Sequence, residues 1–129
     1  MIIKQITKGV QVSVETFYQP RFSNPLDSVY VFAYKITIVN NNDYDIQIMR
    51  RHWHIVDANA SKRHVEGAGI IGEQPKLGPG EMHEYVSYCD LVTDIGKMYG
   101  TYLILRLIDQ NQFYVKIPEF KLVAPFRLN

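Results

Sequence analysis

An all-β chain, folded as a two-sheet sandwich of the immunoglobulin or fibronectin type III kind with about seven or eight strands, is what the sequence predicts. Three observations carry this expectation. Apolar residues recur at every second position through most of the chain, the pattern of strands with one dry and one wet face. No segment sustains the 3.6-residue period of an amphipathic helix. Clusters of Asn, Asp, Gly and Pro separate the alternating runs at short intervals, as in sandwiches and barrels. The 129 residues fit one domain, 1–129, large enough to bury a core without a disulfide or structural metal.

The elements follow in order. Val10, Val12 and Val14 alternate with Gln11, Ser13 and Glu15, and Phe17 and Tyr18 extend that strand before Pro20 and Pro25 bracket a loop. The clearest strand runs from Val29 to Asn40, with Tyr30, Phe32, Tyr34, Ile36 and Ile38 on one face. Asn40 to Asp43 is a turn cluster, because short polar side chains cap the backbone and tolerate positive φ. The next strand contains a conflict: Ile46 and Ile48 have one parity, Trp53 and Ile55 the other. A regular strand cannot bury both pairs, so a β-bulge is predicted between Met49 and His52. Trp53 is then free to fill the core between the sheets. Asp57 to Ser61 reads as a hairpin connection and Lys62 to Glu66 as the returning strand. Gly67 to Gly80 is irregular, holding five of the eight glycines and two of the six prolines. His83 to Cys89 reads as a strand and Asp90 to Gly96 as a loop. Tyr99 to Leu107 and Phe113 to Ala124 alternate again around the turn at Asp109 to Gln112, and Pro118 interrupts the last strand as an edge or bulge position allows.

Fourteen basic against 13 acidic residues leave a net charge of +1. That balance is not the basic footprint of a nucleic-acid binder. The single cysteine, Cys89, excludes an internal disulfide and fits a reducing compartment. Met1 to Lys8 lack the apolar core of a secretion signal, and no apolar run approaches the ~20 residues of a membrane helix. A cytoplasmic protein without membrane contact is expected.

Several motifs lie in the middle and end of the chain: Arg51-His52-Trp53-His54-Ile55, the run Val65 to Pro75, Leu77-Gly78-Pro79-Gly80-Glu81, Tyr85-Val86-Ser87, Gly96 to Tyr102, and Ile117-Pro118-Glu119-Phe120-Lys121-Leu122. In this order they resemble the ApaG family. Tyr88 and Asp94 depart from it, where the family often has glycine and proline. The resemblance implies a single immunoglobulin-like sandwich. Bacterial members are associated with cobalt resistance and magnesium efflux, and related domains are appended to larger eukaryotic proteins, F-box proteins among them. That use implies protein recognition and supplies no catalytic residue.

Four constellations can carry chemistry. Gly67-Ala68-Gly69-Ile70-Ile71-Gly72 matches G-x-G-x-x-G, but Pro75 and Pro79 leave no helix to complete a dinucleotide fold. It can still form an anion-binding nest of backbone amides, with Lys62, Arg63 and Lys76 nearby in sequence. The family resemblance implies pyrophosphate or nucleotide as the ligand; the plain alternative is close approach of two backbone segments. His52 and His54 share a face of one strand and can hold Co²⁺, Ni²⁺ or Zn²⁺ with His64 or Glu66 across the hairpin; position 52 is a variable slot of the family motif and His54 lies outside it. Arg50 and Arg51 flank the predicted bulge and offer charge to a partner or anion. Tyr88, Tyr99 and Tyr114 fall outside the core parity and suit an exposed partner surface, and the sheet edges suit a partner strand or a second copy. Cys89 has no base beside it in sequence and reads as a core residue. No nucleophile with a base, carboxylate pair or open metal site reaches a named reaction. The expectation is a non-catalytic binding module without a cofactor, whose partner is a protein; the alternatives are pyrophosphate or nucleotide binding by the glycine loop and weak transition-metal binding by His52 and His54.

Overall fold

A computed structural model describes residues 2–128. Among the described residues, nine strands form two antiparallel sheets. The four-stranded sheet has the order β1 (Ile2–Thr7), β2 (Val10–Tyr18), β3 (Tyr30–Asn40), β7 (Met82–Leu91). The second has the order β5 (Lys62–Ala68), β4 (Ile46–Asp57), β8 (Ile95–Arg106), β9 (Gln112–Val123), with the two-residue β6 (Lys76–Leu77) also on β4. The sandwich expected from the alternation is present, with nine strands where about seven or eight were expected; β1 and the two-residue β6 are the unforeseen ones. β1 shows no clear alternation, because its exposed positions hold Ile2, Lys4 and Ile6 while two of its three inward positions hold Gln5 and Thr7.

The alternating runs supply the core. Val10, Val12 and Val14 of β2 and Phe32, Tyr34, Ile36 and Ile38 of β3 are buried from one sheet. Ile46, Ile48, Trp53 and Ile55 of β4 meet them from the other, with Met98, Tyr102 and Ile104 of β8. Burying such side chains is worth roughly 1.5–3 kcal/mol each. Trp53 does fill the space between the sheets. Its ring meets Tyr34 of the opposite sheet edge-on at 5.4 Å and Phe120 of its own at 5.9 Å, the aromatic geometry that the ring quadrupoles favour. Gly100 lies directly across from Trp53, where a Cβ would collide with the carbonyl oxygen of His52.

Two irregularities shape the second sheet. The β4–β8 register shifts between Ile48 and Arg50, so Met49 is the extra residue, at the near edge of the predicted window. The β8–β9 register shifts between Met98 and Gly100, where Pro118 of the edge strand β9 sits in the bulge. Buried polar groups are paired, as burial demands. Asn40 donates to the carbonyls of Tyr44 and Leu77 at 2.8 and 3.0 Å and accepts from the Asn42 amide at 3.1 Å. Asp57 accepts from the Val92 amide and the Thr93 hydroxyl at 3.0 and 3.2 Å.

Replacing Trp53 with alanine removes the ring that joins the two sheets. Trp53→Ala is expected to lower the unfolding free energy by about 3–5 kcal/mol, read from the urea midpoint with an unchanged denaturant slope.

Candidate functional site

The Met49 bulge organises both candidate sites on this sheet. β5 pairs with Arg50 to Val56 of β4, and β6 pairs with Ile46 and Gln47. Between them the edge strand leaves the sheet, opposite the bulge, as the glycine-rich excursion from Gly69 to Pro75. The Gly69 amide and the Gln74 side-chain amide both donate to the Met49 carbonyl, at 2.7 and 3.0 Å, and the Ile48 amide donates to the Pro75 carbonyl at 3.0 Å. Ile70 and Glu73 exchange two backbone hydrogen bonds around Ile71 and Gly72, whose φ angles of 47° and 80° make a tight turn of positive φ. Ile70 is buried beneath it.

Each glycine of the motif therefore has a local reason. Gly67 leaves room for the guanidinium of Arg51, since a Cβ there would lie 2.8 Å from Nη1. Gly69 has φ of 57° and a Cβ there would strike the Glu73 carbonyl. Gly72 supplies the turn. The amides of Gly69, Ile70 and Glu73 already have backbone acceptors, so they do not converge on an anion as a nest would. The loop presents carbonyls instead: Arg51 Nη1 donates to Ala68 and Gly69 oxygens at 3.1 and 3.3 Å. Arg51 has the inward parity of Trp53 and Ile55 and so closes the sandwich rim rather than facing a partner. Of the basic residues assigned to this loop, Lys76 follows it on β6. Lys62 lies five residues up β5 from Gly67, roughly 17 Å away along a strand. Arg63 is inward, bonded to the Asp90 carbonyl and carboxylate of β7.

The outer face of the same sheet gathers the histidines. The hairpin register sets His54 opposite His64 and His52 opposite Glu66. His52 Nε2 is 3.2 Å from His64 Nδ1, and His52 Nδ1 is 3.1 Å from Glu66 Oε1. One ring nitrogen from each of His52, His54 and His64 lies within 4.8 Å of the others. Tyr99, next in the row on β8, stacks flat on His54 with centroids 4.7 Å apart and planes 8° from parallel. Desolvation, and then the neighbouring imidazoles of His52 and His64, hold His54 below the usual histidine pKa. The sequence placed His52 and His54 together; pairing across the hairpin adds His64.

The remaining expected site residues do not form one surface. Arg50, Tyr99 and Tyr114 share the outer face of the second sheet, with Arg50 opposite Leu103 and Leu103 opposite Tyr114. Tyr88 is on the outer face of the first sheet, 61% exposed, in one row with Ala33 and Phe17. Sequence reading missed Phe17 as a surface residue, although its parity opposite Val14 gives the signal. Cys89 is buried, and desolvation pushes its thiol up to about 11, which keeps it protonated at neutral pH. Tyr85 and Tyr102, from opposite sheets, share a hydrogen bond at 2.5 Å, and burial raises both hydroxyls well above the ordinary tyrosine range.

A β-sandwich whose sequence signature folds around a strand bulge is the class these features define. Residues 20–106 match the ApaG domain family. The chain is 42% identical to the protein ApaG of Brucella canis over 120 residues, covering 93% of this chain and 92% of that one. It is 43% identical to the protein ApaG of Allorhizobium ampelinum over 122 residues, covering 95% and 93%. The crystal structure of the putative ApaA protein from Bordetella pertussis superposes with a TM-score of 0.87 at 42% identity, over 90% of this chain and 94% of that one. The C-terminal domain of wzt, at 9% identity and a TM-score of 0.55 over 95% of this chain and 77% of that one, shares the fold alone. The chain belongs to the ApaG domain family.

Two expectations follow. Gly69→Ala should destabilise the domain more than Gly72→Ala, because both need positive φ, at about 1–2 kcal/mol, and only Gly69 also meets backbone; chemical denaturation of the two variants orders them. Cys89 should resist alkylation by iodoacetamide at pH 7.5 in the folded protein and react on unfolding in guanidinium, read by mass spectrometry.

Proposed function

We propose that this chain is a non-catalytic protein-recognition module acting in the cytoplasm, and that its docking face is the outer surface of the four-stranded sheet. The observation that carries the reading is the apolar row on that surface. Phe17, Ala33 and Tyr88 are direct cross-strand neighbours, and Val86 lies two residues along β7 from Tyr88. Phe17, Val86 and Tyr88 are 44%, 48% and 61% exposed. Large side chains set side by side on a rigid sheet suit the core of an interface. The strand that carries two of them, β7, pairs among the described residues with β3 alone, so its other edge can pair with an extended segment of the partner.

The chemistry of the interior supports the same reading. The thiol is buried and protonated, and the tyrosine hydroxyls between the sheets are bonded to each other. The glycine motif holds a bulge. The family's association with cobalt resistance and magnesium efflux then reflects what the partner does when bound.

The test is comparative capture from a bacterial lysate with the parent chain and with Tyr88→Asp, Val86→Asp and Tyr114→Ala. All three positions are exposed, so folding is expected to persist, as circular dichroism will verify. A protein retained by the parent and by Tyr114→Ala, and lost from the Tyr88 and Val86 variants, is the expected result. Identical captured sets from all four chains would remove the outer face of the four-stranded sheet as the docking surface.

A further inference from the structure

We propose that His52, His54 and His64 form a mononuclear site for a divalent first-row transition-metal ion of the zinc, cobalt and nickel class, on the outer face of the five-stranded sheet. The site is independent of the protein-docking surface, which lies on the opposite face of the sandwich.

The geometry carries the proposal. Two nitrogens bound to one tetrahedral ion at 2.0–2.1 Å stand about 3.3 Å apart. His52 Nε2 and His64 Nδ1 are already 3.2 Å apart. The third ring nitrogen, from His54, lies within 4.8 Å of both, and a small rotation about its side-chain torsions closes the remainder. His54 and His64 are direct partners across the hairpin, so two adjacent strands supply the ligands and the backbone fixes their spacing.

The surroundings match what a metal-bound imidazole needs. A ligating histidine donates its other ring N–H to a carboxylate or carbonyl, which sets the tautomer and the ring direction. Glu66 stands in that place, 3.1 Å from His52 Nδ1, leaving Nε2 to face the ion. Glu66 is thus assigned to orient His52 rather than to bind the ion. Tyr99 stacks on the His54 ring and supports it from one side. Three imidazoles leave a fourth position toward solvent, where water or an exchangeable ligand binds.

The donor set also selects the ion. Neutral imidazole suits zinc, cobalt, nickel and copper. Magnesium takes oxygen ligands and keeps its waters, whereas the three converging ligand atoms here are imidazole nitrogens. The ion bridges β4 to the edge strand β5, which gains a second tie besides its backbone ladder.

The experiment uses the untagged full chain. Zn²⁺ is titrated by calorimetry, and Co²⁺ by its visible absorption, which is strong only in tetrahedral or five-coordinate nitrogen-rich sites. One ion per chain is expected, not displaced by a large excess of Mg²⁺. His52→Ala and His64→Ala should each weaken Zn²⁺ binding at least ~10-fold, and Glu66→Gln about 10-fold. His83→Ala alters the remaining histidine, on β7 of the other sheet, and should leave binding unchanged. His54→Gln should weaken Zn²⁺ and shift the Co²⁺ spectrum. Unfolding midpoints without metal check that the variants fold, which their outer-face positions predict. The proposal is overturned if the parent binds no Zn²⁺ saturably. Parental affinity in folded His52→Ala and His64→Ala, or one ion held between two chains, also overturns it.

Discussion

The extra residue at Met49 is the constraint on which the second sheet depends. Side chains alternate strictly along a strand, so the parity that buries Ile46 and Ile48 would carry His52 and His54 inward and expose Trp53 and Ile55. One inserted residue reverses the parity halfway along β4. The tryptophan then reaches Tyr34 in the opposite sheet, and the imidazoles turn to solvent. The bulge is not left to itself. The Met49 carbonyl accepts from the Gly69 amide, which carries the β4–β5 register one pair further, and from the Gln74 side chain. The residues that mark the family in sequence, the Arg-x-Trp element and the glycine run, meet at this one irregularity.

That arrangement explains how much was legible in the sequence. The bulge was, because two buried pairs of opposite parity in one strand have no other resolution. The role of Trp53 followed from it. The sequence narrowed the cross-hairpin partner of the histidine pair to His64 or Glu66 and did not choose between them. Whether His64 faces His54 depends on the length and turn type of the connection, since a one-residue change in register sends every side chain of β5 to the other face. Here the connection closes with the Asp57 amide on the Ser61 carbonyl and with Ala60 at φ 68°, and nothing in Ala58-Asn59-Ala60 announces a left-handed alanine. The glycine loop was legible as irregular, but glycine count does not say whether amides or carbonyls point at a neighbouring charge. Arg51, read as a surface charge, proved to be the group those carbonyls serve.

The two sides of the sandwich are closed by different means. On one, β1 lies beside β9, and the Lys116 amide donates to the Thr7 hydroxyl at 3.2 Å. On the other, the edge strands β5 and β7 belong to different sheets and share no ladder. Arg63 spans them, reaching the Asp90 carbonyl and approaching the Cys89 sulfur at 3.8 Å. A long inward-facing cation at such a rim covers apolar surface with its stem and satisfies carbonyls with its head.

The pairing of β3 with β7 has a consequence for the order of folding. β1, β2 and β3 form a meander of neighbours in sequence, and local contacts of that kind close quickly. The second edge of β3, which carries Phe32, Tyr34, Ile36 and Ile38, finds its partner only when Met82–Leu91 arrives. Every residue of β4, β5 and the glycine excursion lies between them. During synthesis the first three strands therefore emerge as an unfinished sheet with an open edge and an uncovered apolar face, a species prone to pairing with the wrong strand. Closing that long loop before its contacts reward it makes collapse slow relative to a helical chain of this length. Asn40, which ends β3, is buried and donates to the carbonyls of Tyr44 and Leu77, so even the cap of that strand waits for chain made later.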